Sequence, residues 1–115
     1  MCLNIKWYSW KHTAKKDIIV YKYLDKCNDN TLKTPYRGVI IEISKTYISV
    51  IERIDNVIEK ALHSFAQQKG AQDNLFNQIV IVECIIPKGS YYYTGKFIGH
   101  KAYASNKLIY KRIIS

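Results

Sequence analysis

"VIIEISKTYISVIERIDNVIEKALHSFAQQKG", residues 39–70, is the stretch whose reading decides the fold. Val39, Ile41 and Ile43 alternate with Ile40 and Glu42 as in a strand, and "SKT" can turn the chain before another extended segment from Tyr47. Ile51, Ile54, Ile58, Leu62 and Phe65 then recur at intervals of three or four, the spacing that lines one face of a helix. Asn56 followed by Glu59 resembles a capping box, and Gly70 supplies a stop. This pattern predicts a helix over Val57 to Lys69, preceded by a strand that ends near Glu52. A second reading has Ser64 capping a helix through "FAQQKGAQDNLF", which leaves "VIEKALH" extended.

Outward from this stretch, the chain reads as strands. "QIVIVECII", residues 78–86, is nearly continuous in apolar residues, as expected of a strand buried on both faces, and Glu83 shares a face with Ile81 and Ile85. "DIIVYKYL", residues 17–24, places Ile19, Tyr21 and Tyr23 on one side and Ile18, Val20, Lys22 and Leu24 on the other. "PKGS" is a turn, after which "YYYTGKFIG" and "KLIYKRII" return as strands. The predicted fold is α+β: a curved, mostly antiparallel sheet that can curl into an incomplete barrel, packed by one principal helix. A chain of 115 residues fits a single compact domain, residues 1–115.

Hydrophobic residues make up 48% of the chain, enough to offset the entropy of ordering and to argue against a disordered tail. The N-terminus mixes Lys6, Trp7, Trp10, Lys11 and His12 and lacks the apolar core of a signal peptide. No apolar run approaches the roughly eighteen residues that span a bilayer as a helix, so the expectation is a cytoplasmic protein without a membrane partner. Cys2, Cys27 and Cys84 form neither a disulfide framework nor a zinc-ligand spacing, and Cys84 among Ile and Val reads as a small buried hydrophobe. No metal and no cofactor is expected.

The formal charge is +9. Residues 88–115 hold six basic residues, Lys88, Lys96, Lys101, Lys107, Lys111 and Arg112, and no acidic one. Bases of single-stranded nucleic acid stack on exposed aromatic rings while Lys or Arg meets the phosphates. Tyr91, Tyr93, Lys96, Lys107, Tyr110, Lys111 and Arg112 are therefore candidates for such a surface, with Tyr91 and Tyr93 on one strand face and Tyr92 on the other. Tyrosines of this kind also serve as ordinary strand and sheet-edge residues. Tyr36 and Arg37 form a second candidate, a recognition loop for an unidentified protein partner or for self-association. His63 and Glu83 are candidates for a polar pocket, although no motif relates them to each other or to a nucleophile. The Walker and dinucleotide glycine patterns are absent. The chain reads as an accessory or binding protein rather than a catalyst.

"TPYRG", "TYIS", "ALHSF", "VECIIPKGSYYYTG" and "YASNKLIYKRI" together resemble an arrangement in short proteins of gut bacteria and their phages or mobile elements. That resemblance implies an independently folded accessory protein and no particular chemistry. "YRG" at Tyr36–Gly38 and "YAS" at Tyr103–Ser105 resemble elements of ADP-ribosyltransferase-like folds, which bind NAD. The "STS" motif is missing, and no acidic residue follows Glu83 to orient the sugar.

Overall fold

Two strands that are apolar on both faces must lie inside a fold, and they pair here. The computed structural model describes residues 3–6, 10–26, 32–34, 40–67, 79–97 and 99–114. Among these, strands occupy Leu3–Asn4 (β1), His12–Thr13 (β2), Ile18–Lys26 (β3), Leu32–Lys33 (β4), Ile40–Ile41 (β5), Thr46–Ile48 (β6) and Glu52–Ile54 (β7). The remaining strands are Val57–Lys60 (β8), Leu62–Phe65 (β9), Ile79–Ile86 (β10), Tyr91–Phe97 (β11), His100–Ser105 (β12) and Lys107–Ile113 (β13). β3 and β10 run antiparallel in unbroken register from Ile18↔Ile86 to Asp25↔Ile79.

All pairings are antiparallel and join one curved sheet in the order β6-β13-β10-β3-β9-β12-β11-β1-β8-β7, with β2 beside β11 and the β4–β5 pair beside the end of β3. Alternation along β3 and β10 sends side chains into two separate cores. Val20, Leu24, Val82, Cys84 and Ile86 meet Leu108 and Tyr110 of β13 in the first. Tyr23 and Ile81 meet Leu3, Ile58, Phe65, Ala102 and Ala104 in the second. The sheet curls round the first core as a half-barrel, and the radius of gyration, 13.3 Å, is that of a compact chain.

The expected helix is absent among the described residues, which form a β and not an α+β arrangement; the alternative helix through 65–76 begins at a residue that is in a strand, and its positions 68–76 lie outside the described residues. Val57–Lys60 and Leu62–Phe65 are strands, and the predicted helix end at 68–69, like Gly70, lies outside the described residues. The reason is local. β7 and β8 form a hairpin in which Ile54 pairs with Val57 across the two residues Asp55 and Asn56. Asp55 sits at φ 52°, a left-handed turn conformation that Asp and Asn tolerate. The apparent capping box is thus a hairpin turn. Its apolar series also divides between strands, with Leu62 packing on the first core and Ile58 and Phe65 buried in the second.

β12 and β13 meet at Asn106, where the chain changes position in the sheet. The Asn106 N–H donates to the Tyr91 carbonyl (3.1 Å), its Oδ1 accepts from the Tyr91 N–H (2.8 Å), and its carbonyl accepts from Ser49 N–H (2.9 Å). This corner carries the C-terminal strand from β12 to the far side of the half-barrel, beside β10. Gly95 lets β1 lie against β11: a Cβ there would collide with the Asn4 carbonyl oxygen and come within 3.0 Å of Leu3 Cγ. Phe65 is fully buried with Tyr23, Phe97 and His100 at ring distances of 6.1, 6.0 and 6.5 Å.

Phe65→Ala should cost about 3–5 kcal/mol in denaturant unfolding, the penalty of a large cavity in a packed core. Gly95→Ala should cost about 1–3 kcal/mol and selectively raise hydrogen exchange along Leu3–Asn4, because overpacking there displaces β1.

Candidate nucleic-acid interface

The β11–β12 hairpin is built by alternating residues and closed near Gly99, which adopts φ 77°. Its register sets Tyr92 opposite Ser105, Thr94 opposite Tyr103, and Lys96 opposite Lys101. These six share the face that continues into the half-barrel's inner surface, where Tyr92 and Tyr103 pack against the first core. Both lysines are exposed. Like charges directly opposite across two strands repel, and among the described residues no ion pair engages either lysine.

Aromatic groups adjoin this cationic pair. Tyr92 and Tyr103 meet edge to face at 5.7 Å, and exposed His12 of β2 stacks on Tyr92 at 5.3 Å with the rings 28° apart. The Lys101 ammonium lies 5.6 Å from the Tyr103 ring centroid. On the opposite face, Lys11 Nζ lies 4.5 Å from the ring of Tyr91, which is 45% exposed, and the Arg53 guanidinium lies 5.9 Å from half-buried Tyr93. The β11–β12 hairpin therefore has an aromatic–cation pair on each side.

The residues expected to form one C-terminal surface are divided. Tyr91, Tyr93 and Lys96 stand on β11; Lys107, Tyr110, Lys111 and Arg112 stand on β13, with β10, β3, β9 and β12 between the two strands in the sheet. Lys107 is half-buried at the Asn106 corner, and Lys111 and Arg112 are exposed further along β13. Tyr110 is 1% exposed and packs edge-on against Tyr47 at 5.4 Å, so it offers no ring to a ligand. Burial raises its phenol well above the usual range. Tyr36 and Arg37 lie outside the described residues.

His63 and Glu83 are not partners. The Glu83 carboxylate accepts from Arg112 Nε at 2.9 Å. His63, on the second-core face of β9 and 7% exposed, donates from Nε2 to the Ile58 carbonyl at 3.4 Å. Burial, followed by the Lys22 cation, lowers the imidazole to about 4, which keeps it neutral near pH 7 and makes it a weak base. Burial raises the Cys84 thiol to about 12 against the pull of Lys22, so it carries little thiolate. Among the described residues, no three His, Cys, Asp or Glu side chains are grouped to hold a metal ion, and no helix is long and apolar enough to cross a membrane.

Lys22 and Ser64 carried no signal as site residues in the sequence. Lys22 is a half-buried residue on the inner face of β3, and burial lowers its ammonium to about 8 despite the opposing influence of Cys84. Ser64 is fully buried, and its Oγ has no hydrogen-bond partner. No protein-family model matches the chain, and no curated protein or solved structure does so either.

The His63 shift carries a pH dependence. The unfolded imidazole takes up a proton near 6.5, whereas the folded one resists until about 4, so the unfolded state binds more protons between these values. Stability should be insensitive to this group above pH 6.5 and should fall as pH drops toward 4, by about 3 kcal/mol at most. Denaturant unfolding at stepped pH checks this, and His63→Leu should flatten the slope across that window.

Proposed function

We propose that the chain is a nucleic-acid-binding protein that takes a single strand on the face formed by β2, β11 and β12. The supporting observation is the Lys96–Lys101 cross-strand pair, two exposed ammonium groups in direct register beside Tyr103. A phosphate between them would replace repulsion with two charge-assisted contacts. His12, already stacked on Tyr92, presents its outer ring face to a base, so that a nucleobase would extend the stack. The net charge of +9 would speed encounter with a polyanion and make binding sensitive to salt.

This face differs from the surface expected from the sequence, because it keeps Lys96 and has Lys101, Tyr103, Tyr92 and His12 in place of Tyr91, Tyr93, Lys107, Tyr110, Lys111 and Arg112. The distinction can be measured by fluorescence anisotropy with labelled single-stranded RNA, single-stranded DNA and duplex DNA at low and near-physiological salt. Single strands should bind saturably, and duplex more weakly. The double variant Lys96→Gln/Lys101→Gln should lose at least tenfold in affinity and reduce the salt slope by about 1.4, about 0.7 for each lost phosphate contact. Lys111→Gln/Arg112→Gln should bind as the wild type does. Absence of single-strand binding, or a larger loss from the β13 pair than from the β11–β12 pair, defeats the proposal.

A further inference from the structure

Residues 10–12 run along β11 and bring one more ring to the nucleic-acid face. The pairs Thr13↔Tyr91 and His12↔Tyr92 set the register, and continuing it by two residues brings Trp10 to the level of Thr94. Contacts fix the sides. His12 stacks on Tyr92, whereas the Lys11 ammonium lies 4.5 Å from the centre of the Tyr91 ring on the opposite face, so alternation returns Trp10 to the side of His12. Trp10 is 78% exposed, more than any other large hydrophobic among the described residues, and none of these residues engages its indole.

The segment that carries this indole is held at two points. Lys11 grips Tyr91 from behind, and Ala14 anchors the other end, its N–H donating to the Ser90 carbonyl and its carbonyl accepting from the Gly89 N–H, both at 2.8 Å. A ring presented on chain that is already ordered costs a ligand little further ordering.

The sheet places the indole in a row. In steps of two residues along β11, the face presents His12 beside Tyr92, then Trp10 and Tyr103 on either side of Thr94, then Lys96 beside Lys101. Each step is about 6.8 Å, two residues of an antiparallel strand at about 3.4 Å each. Successive nucleotides of a stacked B-form strand rise by only about 3.4 Å. Neighbouring bases can therefore occupy neighbouring levels only when the strand is drawn out and its bases are parted from one another. The two ammonium groups close the row with the charge that a phosphate requires, and residues 88–115 contain no acidic side chain to oppose it.

We infer that Trp10 is a second base platform and that the face takes two consecutive, unstacked nucleotides of a single strand: one base on His12, the next on Trp10, and the phosphate beyond it between Lys96 and Lys101. This rests on the single-strand reading above and deepens it, because it states how many bases the face holds and in what conformation. A cationic surface alone attracts duplex and single strand alike, whereas ring platforms at this interval take only bases that have left the stack. The share of Trp10 is separable from that of the lysines, because stacking releases no counterions and phosphate contacts do.

Fluorescence anisotropy with a short labelled oligothymidylate, titrated at several salt concentrations, tests the inference on the full chain. Trp10→Ala should weaken binding by about fivefold or more with the salt slope unchanged, and Trp10→Phe, which keeps a ring, should stay within about twofold of the wild type. With unlabelled oligothymidylate, intrinsic tryptophan emission should be quenched saturably in the wild type, and this quenching should be absent from Trp10→Phe. Binding that depends on Lys96 and Lys101 but is equal in Trp10→Ala overturns the second platform and leaves the single-strand reading standing. A loss in Trp10→Ala accompanied by the reduced salt slope of the lysine variant also overturns it, as does quenching that persists in Trp10→Phe. No binding of the single strand by the wild type overturns both. If Trp10→Ala does not fold, the quenching comparison between wild type and Trp10→Phe decides.

Discussion

The eight-residue pairing of β3 with β10 is the constraint on which the rest depends. Each strand is apolar on both faces, so neither can lie at a surface, and covering both faces requires two cores. The short strands are too small to be stable alone and gain their order by packing against this pair. Tyr23 holds the second core through its ring contact with Phe65, and Cys84 holds the first through its pairing with Val20 and Tyr110. Exposed cationic side chains such as Lys96, Lys101, Lys111 and Arg112 consequently stand on strands outside this pair.

The same charge behaves differently on those strands and on β3. Lys96 and Lys101 repel through water, where screening keeps the cost small and a phosphate can reach both. Lys22 is half-buried, so burial disfavours its ammonium, and its field reaches neighbouring groups, opposing a proton on His63 and favouring ionisation of Cys84. Burial still dominates at both neighbours, leaving a neutral imidazole and a neutral thiol.

Part of the candidate interface was legible beforehand. The apolar run ending at Ile86 and the turn at Gly89 mark two consecutive antiparallel strands, whereas the strand expected through Gly99 ends at Phe97, and the turn at Gly99 into β12 is what sets Lys96 against Lys101. Lys22 was equally placed on the face of Val20 and Leu24 by simple alternation. What alternation could not reveal was that this face would be enclosed, since that follows from β13, β9 and β12 curling around it. Nor could it show that Tyr110 is core while Tyr91 remains open, because both lie in similar tyrosine-bearing, lysine-flanked strands. The helix expectation failed for a related reason: apolar spacings of three and four also arise when a left-handed residue such as Asp55 folds a segment into two strands.

The sequence by itself determined the local properties: an excess of positive charge, strongly extended segments around β3 and β10, and the turn at Gly89 between β10 and β11. Only the tertiary structure decided which of those local features face solvent, which face each other and which are sealed inside. Strand alternation assigns a side chain to one of two faces within a single segment, whereas burial and electrostatic environment depend on strands distant in the chain. The Asn106 corner shows this directly, because it sends β13 to pair with β10 and thereby separates Lys111 and Arg112 from the tyrosines of β11.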